Sequence, residues 1–436
     1  MSFRAFFNSF LTYSGRHSLG LINIDNLEPG MKLGADLHTP EGRFLLPAGV
    51  DLTADHIKIC KAWGVDQADI EGYDQAKADQ DRLSRLDPEL LNKSKAYLKP
   101  YLKGWNVRHP AMNEIIRIAI EKTAHRMESG ETLARDFTDA EHYNDTDNDL
   151  HSRDWSDISA LSLVKKQSEL ISLPDIFYKI LEVLESPFSS ASHIADVVSK
   201  DMSLSAKLLK LVNSAFYGFP SQIASISRAV AILGTKELTS LAMGISLMKS
   251  FEGVSLQIIS MEDFWKHSIA CGIFAGLIAS RQPGLSQERF FVAGLLHDIG
   301  RLIMIKIIPD AFSAAALLSI KKRIPAFQAE KEVLGFDHAR VGGLLCREWK
   351  LPVGLEQMIH FHHEPSKCNN VAEPSIIHLA NILAISSRPE FTGQGIFPVL
   401  SEKAWQHTGL KRSDIFPVVQ QADRKINEIV HIFLSS

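Results

Sequence analysis

The sequence predicts a mainly α-helical protein with a small α+β module near its start. Three observations lead there. From about Leu161 onward, apolar residues recur at three- and four-residue intervals in segment after segment, the period of a helix with one buried face. Strand-like stretches bounded by turn residues cluster in residues 21–73 and are sparse elsewhere. The chain has 436 residues, more than one ordinary core organises, so the two textures belong to separate domains.

The segments follow in order. Residues 1–20 begin "MSFRAFFNSFLTY", with Phe3, Phe6, Phe7, Phe10 and Leu11 at helical spacing. The stretch lacks the continuous apolar core and small-residue cleavage site of a signal peptide. Its apolar face suits a helix packed on the protein, or one lying on a membrane surface. In residues 21–73, "MKLGADLHTPEGRFLLPAG" reads as two strands about a Pro-Glu-Gly turn, and "DQADIEG" as a closing strand. Between them "LTADHIKICKAWG" reads as a helix, with Thr53 as N-cap and Gly64 as its stop. Residues 74–135 are charged and helix-prone, broken at Pro100 and Pro110.

Residues 136–160 are polar, aspartate-rich and read as a linker. Within them "DTDNDLHSRDWS" (145–156) starts like a calcium loop, with acids at its first, third and fifth positions. Leu150 stands where that loop needs glycine, and Ser156 where it needs a bidentate glutamate, so a solvated linker is the better reading. Residues 161–385 read as a compact helical domain, and 386–436 as a helical extension. One stripe runs through Leu204, Leu208, Leu211 and Ala215, another through Leu238, Leu241, Ile245 and Met248.

Composition narrows the function classes. With 45% hydrophobic and 22% charged residues the chain has a soluble protein's balance, and charges interrupt every apolar stretch before the ~18 residues a membrane span needs. A net charge of −4 gives no electrostatic footprint for nucleic acid. Cys60, Cys271, Cys346 and Cys368 are scattered without a C-x-x-C spacing, which fits a reducing cytoplasm.

The chemistry-bearing residues lie in the helical domain. "FFVAGLLHDIGRLIMIKI" (290–307) sets His297 beside Asp298 in an apolar, helix-like run. Ionisable side chains are rarely buried without partners. Asp263 and His267 are four apart and share a helix face. His338 follows in "LGFDHARVG", then His360, His362 and His363 in "MIHFHHEP", and His378 and Asn381 in "SIIHLANILA". Adjacent residues on a helix diverge by about 100°, so an ion between His297 and Asp298 requires inward-tilted rotamers. Imidazole and carboxylate together suit iron, manganese, zinc or nickel better than calcium or magnesium. Each histidine taken alone is better explained as a cap, a surface group or a hydrogen-bonded core residue, a preference that five contributing segments in one domain reduce.

"LPDIFYKILEVLESP", "IADVVSKDMSLSAKLLKLVNSAFYG", "IASISRAVAILG", "FWKHSIA", "FVAGLLHDIGRL", "LGFDHARVGGLLCREWKLP" and "IHFHHEP" follow one another in order over residues 161–385. Together they resemble the HDOD domain, a bacterial signalling relative of the HD phosphohydrolases, which implies an HD/HDOD-type helical fold. Met202 departs from the pattern, standing where the family usually has proline. "LEPGMKLGADL" and "GRFLLPAG", in residues 21–73, resemble a module placed ahead of HD-GYP cyclic-dinucleotide phosphodiesterases.

The resemblance implies a metal site of the form H…HD…D. Its first three positions match His267, His297 and Asp298, and at the fourth Asn381 replaces aspartate. Asp263, His338, His362 and His363 match the additional ligands of HD-GYP enzymes, so the implied centre holds one or two divalent ions, or none if the lost carboxylate silences it. Asn381 offers a neutral oxygen where aspartate offers a bridging anion. Arg301 stands where HD-GYP enzymes have lysine and is the candidate phosphate grip. The GYP segment is missing after "HHEP", which argues against degradation of cyclic di-GMP.

Two functions are consistent with these features. The first is a bacterial signal-transduction protein acting through protein or ligand binding, with signalling proteins as partners and a degenerate metal site. The second is a metal-dependent phosphohydrolase acting on a nucleotide or another phosphate ester, with Arg301 as clamp. The first is preferred because the implied site is incomplete.

Overall fold

The structure is a computed structural model. It describes residues 21–24, 27–38, 44–63, 65, 67–71, 86–102, 105–106, 109–131, 133, 153–155, 157–170, 174–186, 190–219, 221–249, 251, 260–388 and 396–434. The first twenty residues, most of the aspartate-rich stretch with its calcium-loop-like motif, the Pro-Glu-Gly turn and Gly64 lie outside them. The chain divides into two compact units, one drawn from 1–96, 107–131 and 411–421, the other from 97–106, 132–410 and 422–436.

The first unit carries the β-structure. Strand β1 (Leu21–Asn23) pairs antiparallel with β4 (Gln67–Asp69), and β2 (Leu37–His38) with β3 (Phe44–Leu46). The two strands about the turn and the closing strand match expectation, whereas β1 has only three residues, too few to show a period. Helix α1 (Ala54–Ala62) starts at Thr53, whose hydroxyl accepts from the His56 amide at 3.1 Å while the His56 ring accepts from the Thr53 amide. This reciprocal cap satisfies two amides that the first helical turn leaves open. Ile22, Leu33, Leu37, Leu52, Ile57 and Ala68 close the small core. Helix α2 (Pro110–Glu128) uses Pro110 at its first position, where a missing N–H costs nothing. Its buried Glu114 is neutralised by Arg117 at 3.3 Å and Arg412 at 3.0 Å.

The second unit is helical; among the described residues the strands all lie within 21–69. Helix α3 (Met202–Val212) is capped by Asp201, whose carboxylate accepts from the Leu204 amide at 2.8 Å. Leu204, Leu208 and Leu211 are buried as the stripe requires, but Ala215 is exposed. The helix stops short of Ala215 because the Asn213 side chain turns away to bind the Ile223 backbone at both N–H and C=O. Leu238, Leu241, Ile245 and Met248 are all buried.

Helix α4 (Met261–Ala279) is buried on nearly every face, the mark of a helix at the centre of a body. It packs on α5 (Gln287–Leu296) backbone to backbone. A Cβ on Gly272 would meet the Phe291 carbonyl at 2.6 Å, and one on Gly294 would meet the Gly272 Cα at 2.6 Å. Helices α9 (Val353–His360) and α10 (Ala372–Ser387) pack on this pair, α8 (His338–Glu348) packs on α9 and on α6 (Ile299–Ile307), and α7 (Ala326–Leu334) meets α8. No described helix is long and apolar enough to cross a membrane.

Candidate metal centre

Local structure sets the His297–Asp298 pair at a break between helices, not inside one. His297 caps the C-terminus of α5 and Asp298 the N-terminus of α6. The break relaxes the angular conflict expected for neighbours on a continuous helix. Gly300, two residues on, lets α6 touch α8: a Cβ there would lie 2.0 Å from the His338 carbonyl. Only glycine allows that approach, and it sets Asp298 against the first turn of α8.

Six of the expected residues converge. Ligand atoms of His267, His297 and Asp298 lie within 4.8 Å of one another, as do those of Asp298, His338, His362 and His363. Asp298 belongs to both groups. Its Oδ1 lies 3.0 Å from His338 Nε2, 3.4 Å from His297 Nε2 and 3.8 Å from His362 Nε2. Its Oδ2 accepts from Arg301 Nη1 at 3.2 Å and lies 4.0 Å from His267 Nε2. The ring nitrogens also crowd one another, with His267 Nε2 3.3 Å from His297 Nε2 and His363 Nε2 2.9 Å from His338 Nε2.

Three rings are turned inward by a bond on their other nitrogen. His297 Nδ1 donates to the Gly294 carbonyl and His362 Nδ1 to the Ile359 carbonyl, each at 2.7 Å, while His338 Nδ1 is held by Glu330 Oε2 at 2.6 Å. Fixing Nδ1–H leaves Nε2 as the free donor atom, the usual setting of a metal-binding imidazole. Asn381 comes from α10. Its carboxamide favours the protonated form of His267, yet its Oδ1 makes no well-formed hydrogen bond. His267 Nδ1, Asp298 Oδ1, His362 Nε2 and His363 Nδ1 are likewise buried without one. Each such atom costs about 1–3 kcal/mol unless something meets it. A nitrogen-rich set with one carboxylate fits a transition-metal ion, with His297, Asp298, His338, His362 and His363 as the residues that would hold it. An ion there would polarise a bound water.

For every ring but His338 the electrostatics agree with that fit. Burial, then repulsion from His297, pushes His267 down to about 3. Burial also holds His297, His362 and His363 below the ordinary imidazole range, so these rings are neutral, the state that binds metal. For His338 burial again opposes charge, but Glu330 and Asp298 outweigh it and raise the ring to about 10. Burial would raise Asp298; His297, His338 and Arg301 overcome it and hold the carboxyl well below its usual range.

Three expected residues are placed otherwise. Asp263, one turn before His267 on α4, stands outside both groups, because a turn of helix carries it about 5.4 Å along the axis. His378 spends both nitrogens structurally: Nδ1 donates to the His362 carbonyl at 2.8 Å and Nε2 accepts from the Ser401 amide at 3.2 Å. Arg301 is almost wholly buried, and its guanidinium grips Asp298.

Residues 170–365 match the HDOD domain family. That stretch of the chain is similar to HDOD domains. Its span takes in His267, His297, Asp298, Arg301, His338, His362 and His363, and ends before His378 and Asn381. An uncharacterised protein of Treponema pallidum (strain Nichols) is 26% identical over 205 residues, covering 47% of this chain and 39% of that protein's own length. A solved HDOD domain protein of unknown function from Geobacter sulfurreducens is 25% identical, with a TM-score of 0.51 over 63% of this chain and 98% of that one. A protein of Marinobacter aquaeolei VT8, provisionally assigned to signal transduction, shares the fold at 20% identity, with a TM-score of 0.50 over 71% of this chain and 72% of that one.

The centre also has a residue that sequence reasoning missed. Glu330 lies on α7, eight positions before His338, and accepts from both the His338 ring and its backbone N–H. Its only sequence signal is an acid on the buried face of a short amphipathic helix.

Proposed function

We propose that the protein is a bacterial, cytoplasmic signal-transduction regulator whose HDOD domain acts by binding partners, not by turnover, with a divalent metal ion bracing its helices. The observation that carries this reading is the burial of the centre. His297, His338 and His362 have no exposed surface and Asp298 has 1%. A phosphate ester could reach Asp298 only by displacing packed helices. An ion would tie the break between α5 and α6, helix α8 and the turn at His362–His363 together, and a ligand that binds only the folded state stabilises it by mass action.

Several finer assignments belong to this proposal. The ligand set is His297, Asp298, His338, His362 and His363, which is the set of the sequence resemblance less Asp263, His267 and Asn381. Residues 21–73, with their likeness to the module ahead of HD-GYP enzymes, present a second surface for signalling proteins. The limits 161–385 for the helical domain and 386–436 for its extension go with it.

The second reading, a metal-dependent phosphohydrolase acting on a nucleotide or phosphate ester, is favoured by one feature: Asp298 is shared between two groups of ligand atoms. Arg301, the phosphate clamp of that reading, is instead paired with Asp298. Elemental analysis of the purified protein, with a turnover screen on phosphate esters, separates the two. Bound metal without turnover, lost in His297→Ala with a fall in Tm, is the expected result. Turnover by the natural protein that His297→Ala abolishes would replace this reading with the second.

A further inference from the structure

We infer that the centre takes a single metal ion, on the His338, His362 and His363 side of Asp298, and that the Arg301 guanidinium stands in place of a second. The inference rests on the metal reading proposed above and concerns only how many ions the centre accepts, and where.

The two oxygens of Asp298 face different surroundings. Oδ1 looks towards the Nε2 atoms of His338, His297 and His362, at 3.0, 3.4 and 3.8 Å. Behind His338 lies Glu330, a second buried carboxylate that offsets positive charge on this side. Oδ2 looks towards His267 at 4.0 Å, and Arg301 Nη1 already donates to it at 3.2 Å. Paired metal ions sharing a carboxylate sit about 3.5–4 Å apart. A guanidinium nitrogen in contact with Oδ2 lies within the volume the second ion would need.

Charge leads to the same conclusion. Arginine keeps its proton in proteins, so an ion at Oδ2 would meet a permanent cation. The groups gathered there are the His267 ring, Asn381, which has no net charge, and one oxygen of a carboxylate already engaged. With two dications, Asp298 would have to balance both ions and Arg301 together. Arg301 cannot easily swing away, because its side chain is 2% exposed and its guanidinium lies over the Phe312 ring, 5.9 Å from the centroid. Arg301 thus supplies internally the charge that a second ion would bring, and Asn381 avoids adding an anion that nothing would neutralise.

The test uses the full chain loaded with Mn2+, read by metal content and electron paramagnetic resonance. The natural protein is expected to hold one Mn2+ with the signal of an isolated ion, lost in His363→Ala and kept in His267→Ala. The double variant Arg301→Met, Asn381→Asp is expected to take a second Mn2+, coupled magnetically to the first. The spectrum of the natural protein is informative even if a variant fails to fold. Two coupled ions in the natural protein would overturn the inference and leave the metal reading standing. So would an ion that follows His267 and not His363, or a folded double variant that still holds one ion. No bound Mn2+ in the natural protein overturns the metal reading and this inference with it.

Discussion

Glu330 holds His338 at two points: its Oε2 accepts from the ring Nδ1 at 2.6 Å and from the backbone N–H at 2.8 Å. Both side chains are buried, so this is a charge-assisted contact in a low-dielectric setting. It fixes which ring nitrogen faces Asp298. Glu330→Gln keeps the shape and removes the charge. It is expected to weaken metal binding by about 10–100-fold, measured by competition with a chelator. Unchanged affinity would remove His338 from the ligand set.

Gly300 marks where α6 meets α8. Gly300→Ala puts a methyl 2.0 Å from the His338 carbonyl, and that atom is backbone, which cannot rotate aside. The expected cost is about 3 kcal/mol in urea unfolding, with a matching loss of metal affinity. A variant as stable as the natural protein would show that the two helices are not in backbone contact.

His378 is expected to behave as structure. His378→Ala leaves the His362 carbonyl and the Ser401 amide without their partners. A loss of about 2 kcal/mol follows. Metal content should be unchanged, because neither nitrogen is free to bind. Loss of the metal at retained fold would place His378 in the centre after all.

Stability of the metal-free protein should fall on the acid side. His267 and His378 titrate near 3 and 4 in the fold, against 6.5 for an unhindered ring, and burial is the leading cause of both shifts. The unfolded chain therefore binds more protons as pH falls below 6.5, and each such group removes up to about 1.4 kcal/mol per pH unit until its own folded value is reached. His338 has the opposite sign. Raised to about 10 by Glu330 and Asp298, it contributes fully below 6.5 and loses that contribution as pH rises towards 10. Urea midpoints at pH 4.5, 6, 7.5 and 9.5 should trace a maximum near neutrality, with the steeper fall on the acid side. A midpoint that does not change between pH 6 and 4.5 would contradict neutral, buried rings.

Much of the fold was legible because it rests on local rules. Thr53 caps α1 through atoms three residues apart, and Leu204, Leu208 and Leu211 share a buried stripe because a helix repeats every 3.6 residues. The stripe failed at Ala215, where Asn213 reaches across to Ile223, a contact outside the period's range. Strand β1 was invisible for a similar reason: its three residues are a strand only because Gln67–Asp69 lies beside them.

By itself the sequence determined a helical body, a small β-bearing module and the presence of an HD pair among histidines, because periodicity, caps and residue chemistry act over a turn or two of chain. Tertiary structure alone decided which of those histidines meet. His267 and His297 touch across thirty residues because Gly272 and Gly294 let two helix backbones close together, and His338 reaches Asp298 because Gly300 admits α8. The same packing draws Glu330 in behind His338, turns His378 to the backbone, leaves Asp263 a turn away and pairs Arg301 with Asp298. The physical reason is that burial and charge pairing depend on what lies across a helix interface, and a residue's neighbours along the chain do not specify that.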